Sequence, residues 1–164
     1  MNTGAKLQQK NSNWQAELLE RIRKAEKQEA AIGFPRGKDG LGNPHYENGA
    51  SILQVAIWNN FGTTRGDSNH IPSRPFMKMA TKQIQEVSAP IIQAVIARIN
   101  AGKTDGKKEL EILAIQAQGI IQTTITDGGF AKNADSTIAA KKSEQPLIDS
   151  GDMRQAVTYV LRDK

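Results

Sequence analysis

Between Ala50 and Phe76 the chain reads ASILQVAIWNNFGTTRGDSNHIPSRPF, and this stretch restricts the fold more than any other. Ile52, Val55, Ala56 and Phe61 fall on one face of a helix, and Gly62 stands where a helix C-cap belongs, so NNFGT reads as a helix stop. In IPSRPF two prolines lie three apart. Each pushes the residue before it, Ile71 or Arg74, toward extended backbone, and Pro75 can then open a new helix. The polar, glycine-containing TTRGDSNH between them predicts an exposed loop over Thr63–His70, held at both ends by helices that carry apolar residues. Arg74 has its backbone fixed between Ser73 and Pro75. A guanidinium at a helix start is disfavoured by the dipole unless something receives it, which predicts a buried or interfacial bidentate partner, a carboxylate or carbonyl.

The rest of the chain reads as α+β: three to four helices, two of them long, on a small antiparallel sheet with long polar loops. Residues 1–12 are polar without periodicity and are expected to be disordered, and residues 13–164 to form a single domain. Asn13 can cap a helix with Trp14, Leu18, Ile22 and Ala25 on its inner face. Ala30–Pro35 reads as an edge strand because Pro35 cannot donate to a ladder, and RGKDGLGNPHYENG as turns, with a poor strand over Asn43–Glu47. Pro75 opens the longest helix, whose stripe runs Phe76, Ala80, Ile84, Val87, Ile91, Val95, Ile99; Pro90 predicts a kink or two helices end to end. After a break at Asn100–Gly106, a second long helix runs from Lys107 to Thr126 and stops at Gly128 and Gly129. Ser150 can cap a single turn, Gly151–Ala156. Val157, Tyr159 and Leu161 alternate with Thr158, Val160 and Arg162, a half-buried strand expected to pair with Ala30–Pro35.

Composition narrows the function classes. Only 38% of the residues are hydrophobic, below the usual apolar share, so the core of a lone subunit is thin and surface is available to neighbours. The net charge of +5 is spread along the chain rather than clustered, which describes a solvated basic surface better than a polyanion track. With no cysteine there is neither a disulfide framework nor thiolate chemistry. No apolar run is long enough for a membrane span and the N-terminus has no signal-peptide core, so synthesis and use in the cytoplasm are expected.

No catalytic, metal or cofactor site is expected. The glycines of GKDGLGN do not follow a dinucleotide-binding order, Gly33–Lys38 is one residue short of a P-loop, and no serine sits in GxSxG. His45 and His70, each near a proline, read as solvent-facing, and Glu109 and Glu111 point to different faces of a helix. RGD at Arg65–Asp67 is accounted for by loop composition.

A helix ending in NxFGT, a variable loop, and IPxRPF opening a long helix resembles the tail-completion and neck proteins of long-tailed bacteriophages. A second anchor, GGFAKNADSTIAAKKSEQPLIDSGDMRQAVTYVL, is similar to that family's closing pattern, with a PLIDTG-like segment before a short helix and a final strand. The likeness covers Ser51 to Leu161, although Lys82–Asp127 matches only as helix-forming sequence. Asn60 stands where the family has Glu and Ser150 where it has Thr; the first removes a carboxylate, the second keeps the hydroxyl. The residues that carry the motif, and that the resemblance implies as an interface, are Asn59, Asn60, Phe61, Gly62, Thr63, Arg65, Ile71, Pro72, Arg74, Pro75 and Phe76, with Pro146, Leu147, Asp149, Ser150 and Gly151.

The resemblance implies a non-enzymatic structural subunit of the virion, made in the host cytoplasm. It would form a ring at the head-tail junction as a tail-completion, tail-terminator or neck protein. Its partners would be copies of itself, sixfold as the first expectation, together with neighbouring connector or neck and tail-tube proteins, with DNA passing through the lumen and no membrane. The alternative from a different class is a basic nucleic-acid-binding accessory protein. Against it, the basic residues are not interleaved with aromatics that could stack on bases.

Overall fold

The computed structural model describes residues 3–35, 45–47, 49–63, 70–141 and 144–163, with backbone alone over 3–12. Its elements run α1 (Thr3–Glu26), β1 (Gln28–Gly33), α2 (Ile52–Phe61), α3 (Phe76–Asn100), α4 (Lys107–Asp127), α5 (Asp135–Lys141), α6 (Asp152–Gln155) and β2 (Thr158–Asp163). The class is α+β, with six helices among the described residues where three or four were expected. Of the two short ones, α5 is seven residues long, too short for periodicity to mark it, and α6 is the single turn expected over Gly151–Ala156.

α1 begins at Thr3, so the segment expected to be disordered is helical from its third residue and Asn13 lies inside the helix instead of capping it. Ala5, Lys6, Leu7, Gln8, Gln9 and Lys10 are all good helix formers, and propensity carries the helix where no apolar stripe announces it. α1 rests on α3 and β1 through half-buried Leu18, Ile22 and Ala25. Trp14, expected on the same inner face, is instead 54% exposed because the stripe outruns the elements that cover it.

α3 and α4 form the long antiparallel pair. α3 runs through Pro90 as one helix of 25 residues, so the alternative of two helices does not occur. Of its stripe, Phe76, Ala80 and Ile99 are buried while Val87 is exposed. The turn into α4 is locked by polar contacts. Thr104 Oγ1 donates to Glu109 Oε2 at 2.7 Å, Arg98 meets the same carboxylate at 3.1 Å, and Gly106 takes the left-handed φ of 88° that starts α4. The Thr104 hydroxyl, more than any other group, holds the Glu109 carboxyl below its ordinary pKa.

β1 and β2 pair antiparallel as expected, with Ala30 opposite Leu161, Ile32 opposite Tyr159 and Gly33 opposite Thr158. The predicted inside-outside alternation is absent, and Thr158 to Leu161 are all half-buried. A ribbon of two strands lets solvent reach both faces from its edges, so neither face is fully screened by the helices α4 and α1 that lie against it. Glu29 and Arg162, opposite in the register, make an ion pair at 3.2 Å. The expected strand over Asn43–Glu47 falls partly outside the described residues; what is described is a single bridge between His45 and Ser51.

The core gathers Ile52 and Ala56 of α2, Phe76 and Ala80 of α3, Ile121 and Ile125 of α4, with Leu147, Met153, Ala156 and Val157 of the C-terminal segment. Glutamines of α4 fasten that segment: Gln118 Nε2 donates to Val157 O at 2.9 Å and Gln122 Nε2 to Arg154 O at 3.3 Å. Ile121 is 1% exposed at the centre of this cluster. Ile121→Ala is expected to lower unfolding stability by about 2–5 kcal/mol, read from urea denaturation, since the side chains around it can close the void only in part.

Candidate functional site

The helix stop and helix start bracket a corner that their own backbones build. Ser51 Oγ accepts from Gln54 N at the start of α2, and the helix ends with Gly62 N donating to Trp58 O at 2.7 Å. Gly62 has a φ of 77°, and a Cβ there would sit 2.9 Å from both Ile71 O and Ser73 N, so glycine is required twice over. Next to it, Thr63 N donates to Ile71 O at 3.0 Å and Ile71 N donates to Thr63 Oγ1 at 2.9 Å. This two-way clasp closes the base of the loop, whose residues 64–69, Arg65 among them, lie outside the described residues.

Pro75, expected as the first residue of the helix, lies one position before α3, and its position supplies no side-chain cap. Asn60 does the capping from a distance: its Oδ1 accepts from Met77 N at 3.1 Å, while its backbone oxygen accepts from Ser73 Oγ at 3.0 Å. A buried amide thus satisfies one of the free N–H groups at the start of α3.

Arg74 is the centre of the arrangement. It is 3% exposed, and its backbone N donates to Asn59 O at 2.8 Å. Its side chain reaches four acceptors: Nη1 donates to Asn59 Oδ1 at 2.7 Å, Nε to Ala131 O at 3.0 Å, and Nη2 to Asn133 Oδ1 at 2.9 Å and Lys132 O at 3.3 Å. Asn59 is oriented for this by its own Nδ2, which donates to Val55 O at 2.9 Å. The expected burial is present, but the bidentate partner is replaced by four neutral oxygens from two parts of the chain. Asn133 continues the linkage, donating from Nδ2 to Gln145 O at 3.3 Å, one residue before Pro146. Pro146 is half-buried and Leu147 is 7% exposed within the core.

The remaining motif residues divide by role. Phe76 is 1% exposed and meets Phe34 edge to face, with ring centres 6.5 Å apart, whereas Phe61 is 75% exposed. Asp149 and Ser150 are exposed, and Ser150 does not cap α6. Gly151, at a φ of 88°, holds the capping position, because the chain must turn through left-handed backbone there and glycine does so without strain; the Ser150 hydroxyl bonds Asp152 instead. Asp149 and Asp152 add to burial in pushing the Tyr46 hydroxyl up to about 12.

Beside Arg74 lies a cleft of about 420 Å³, whose walls include Val55, Asn59, Ile71, Thr137, Lys141 and Pro146. Burial lowers the Arg74 pKa. Burial likewise lowers that of Lys141, with Asp149 opposing the shift and Arg74 adding to it. The walls of the cleft bring together segments that are far apart in the sequence. Among the described residues no group of three or more His, Cys, Asp or Glu is placed to hold a metal, and no helix is long and apolar enough to cross a membrane. His45 and His70 are both exposed.

The chain matches no family model, no curated protein and no solved structure. The arrangement therefore has to be read from its own geometry. Asn60 as a remote cap and Asn133 as an arginine acceptor were missed in the sequence; an asparagine next to a helix stop and another just after GGF are the signals that could have found them.

Removing the guanidinium would strand two backbone carbonyls and two amide oxygens. Arg74→Ala is expected to cost about 3–5 kcal/mol by chemical denaturation, and Arg74→Lys to recover less than half, since an ammonium has three donors and no planar fork. A lysine variant as stable as the wild type would show that the charge alone, without the fork, holds the corner.

Proposed function

We propose that this chain is a structural virion protein of a long-tailed bacteriophage, a tail-completion, tail-terminator or neck subunit that assembles as a ring between head and tail. The observation that carries the reading is the Arg74 junction. Arg74 belongs to the IPSRPF anchor, and Ala131, Lys132 and Asn133 follow GGF in the other, so one side chain ties together the two segments that carry the resemblance.

In this reading the corner is a mount. The clasp between Thr63 and Ile71 fixes the two ends of the loop segment on a rigid base, as loops that make contacts are commonly fixed. The loop contacts protein in preference to DNA, because phosphate tracking uses several like charges where this segment has one Arg and one Asp. The lumen of the ring passes DNA, and neighbouring copies, connector or neck proteins and the tail tube are the partners.

Two measurements test it. Electron microscopy of particles assembled with tagged chain is expected to place the tag at the head-tail junction, in a ring that is sixfold on the first expectation. Deleting Gly66–Asn69 is expected to leave a folded subunit, because the clasp lies outside the deletion, while unjoined heads and tails accumulate. Infectious particles from the deletion variant, or virions that lack the protein, would refute the reading.

A further inference from the structure

α5 stands over the cleft beside Arg74 without burying any of its seven residues. Ser136, Thr137 and Lys141 of α5 line that cleft, whose volume is about 420 Å³, and Val55, Ile71 and Pro146 supply an apolar part of the lining. Small-molecule sites commonly span roughly 300–1,000 Å³ and combine apolar walls with a few convergent polar groups.

The charges around the cleft are one-sided. Arg74 and Lys141 both line it, and among the described residues no Asp or Glu does. His70, the remaining titratable group of that lining, is exposed and can only add positive charge. The four oxygens that receive the Arg74 guanidinium are neutral, so they satisfy its hydrogens and leave its charge uncompensated. Burial lowers the Lys141 pKa and the charge of Arg74 adds to the shift; Asp149 works against it but does not line the cleft. Two cations that feel each other in a partly screened place repel, and an anion in the cleft is attracted by both.

The donors are open as well. Among the described residues the Lys141 ammonium and the Ser136 and Thr137 hydroxyls have no hydrogen-bond partner, and Lys141 makes no ion pair. A planar carboxylate offers two oxygens and is matched best by a guanidinium fork, and the Arg74 fork is already engaged. A phosphate monoester offers three terminal oxygens to three donor groups. It brings a charge of about −1.5 to −2 to a cleft lined by two cations.

We propose that this cleft binds a small phosphate monoester, its phosphate held by Lys141, Ser136 and Thr137 in the field of Arg74 and its organic part lying against Val55, Ile71 and Pro146. Bound there, the ligand fastens α5 to α2 and to the segment before α3, and so completes the packing of a helix that buries nothing by itself. The site goes beyond the ring reading and does not depend on it.

Isothermal titration calorimetry of the full chain tests it, with phenyl phosphate as the ligand and benzoate as a planar anion of similar size. Phenyl phosphate is expected to bind at one per chain and roughly tenfold or more tighter than benzoate. Lys141→Met, which keeps the apolar stem, is expected to weaken phenyl phosphate roughly tenfold or more, and Thr137→Val, which keeps the shape, roughly threefold or more. Both variants are expected to retain the wild-type circular dichroism and urea midpoint, and Thr137→Val decides should Lys141→Met fail to fold. No binding at millimolar phenyl phosphate, equal affinity for benzoate, or affinity unchanged in the variants would each overturn the inference. Displacement of phenyl phosphate by a DNA strand without a terminal phosphate would also overturn it, since the cleft would then take a phosphodiester backbone. None of these results bears on where the chain sits in a particle, so the ring reading is decided separately.

Discussion

The Arg74 guanidinium is a buried positive charge that meets no carboxylate among the described residues, and the corner of the molecule depends on how that charge is accommodated. Such a charge is costly in an interior unless hydrogen bonds replace the water it gives up. Two backbone carbonyls and two asparagine oxygens perform that service, and they are held by two different local structures. The C-terminal turn of α2 presents Asn59, and the coil before α5 presents Ala131 to Asn133. The proline after Arg74 limits its backbone, so little entropy remains to be lost when the fork closes on its acceptors. The fork can make hydrogen bonds in several directions at once, and the three segments keep their spacing only while all are made.

Around that junction the chain assembles a core that is small for its length. Phe76, Ile121, Ile125 and Val157 are the largest fully buried side chains, and several other core positions are alanine. Alanines at 114 and 117 leave room on α4 for close approach, which brings helices together without contributing much apolar area. The larger aliphatic and aromatic residues instead populate surfaces of α1, α2, α3 and α4. A low hydrophobic fraction in the sequence thus coexists with bare apolar faces because the apolar residues are unevenly placed, not merely few.

Much of the architecture was legible because it is written in local chemistry. Gly62, the prolines of IPSRPF and the glycines at 128 and 129 end and begin elements through backbone restrictions that need no tertiary partner, and the antiparallel pairing of the terminal strands followed from two short apolar runs. The candidate site was legible in part: Arg74 was recognisable as a residue needing a partner, but three of its four acceptors lie 57 to 59 positions away in sequence. Trp14 and Val87 show the limit of periodicity, which identifies the face a helix would bury but not whether anything reaches it. Ser150 shows another limit. A serine before a short helix is a good cap candidate, yet the left-handed turn at Gly151 takes that place.

The pairing of β1 with β2 has a meaning for how the molecule is made. Gln28 pairs with Asp163, so the sheet joins a strand near the start of the chain to one near its end. At a synthesis rate of about 5–20 residues per second, β1 leaves the ribosome roughly ten seconds before its partner has been made. For that interval its ladder groups are open, and the strand has only α1 and, once made, α4 to lie against. β2 closes the sheet only once it has been made, so that a chain released before that point carries an unpaired strand edge, the feature by which unfinished proteins tend to associate wrongly.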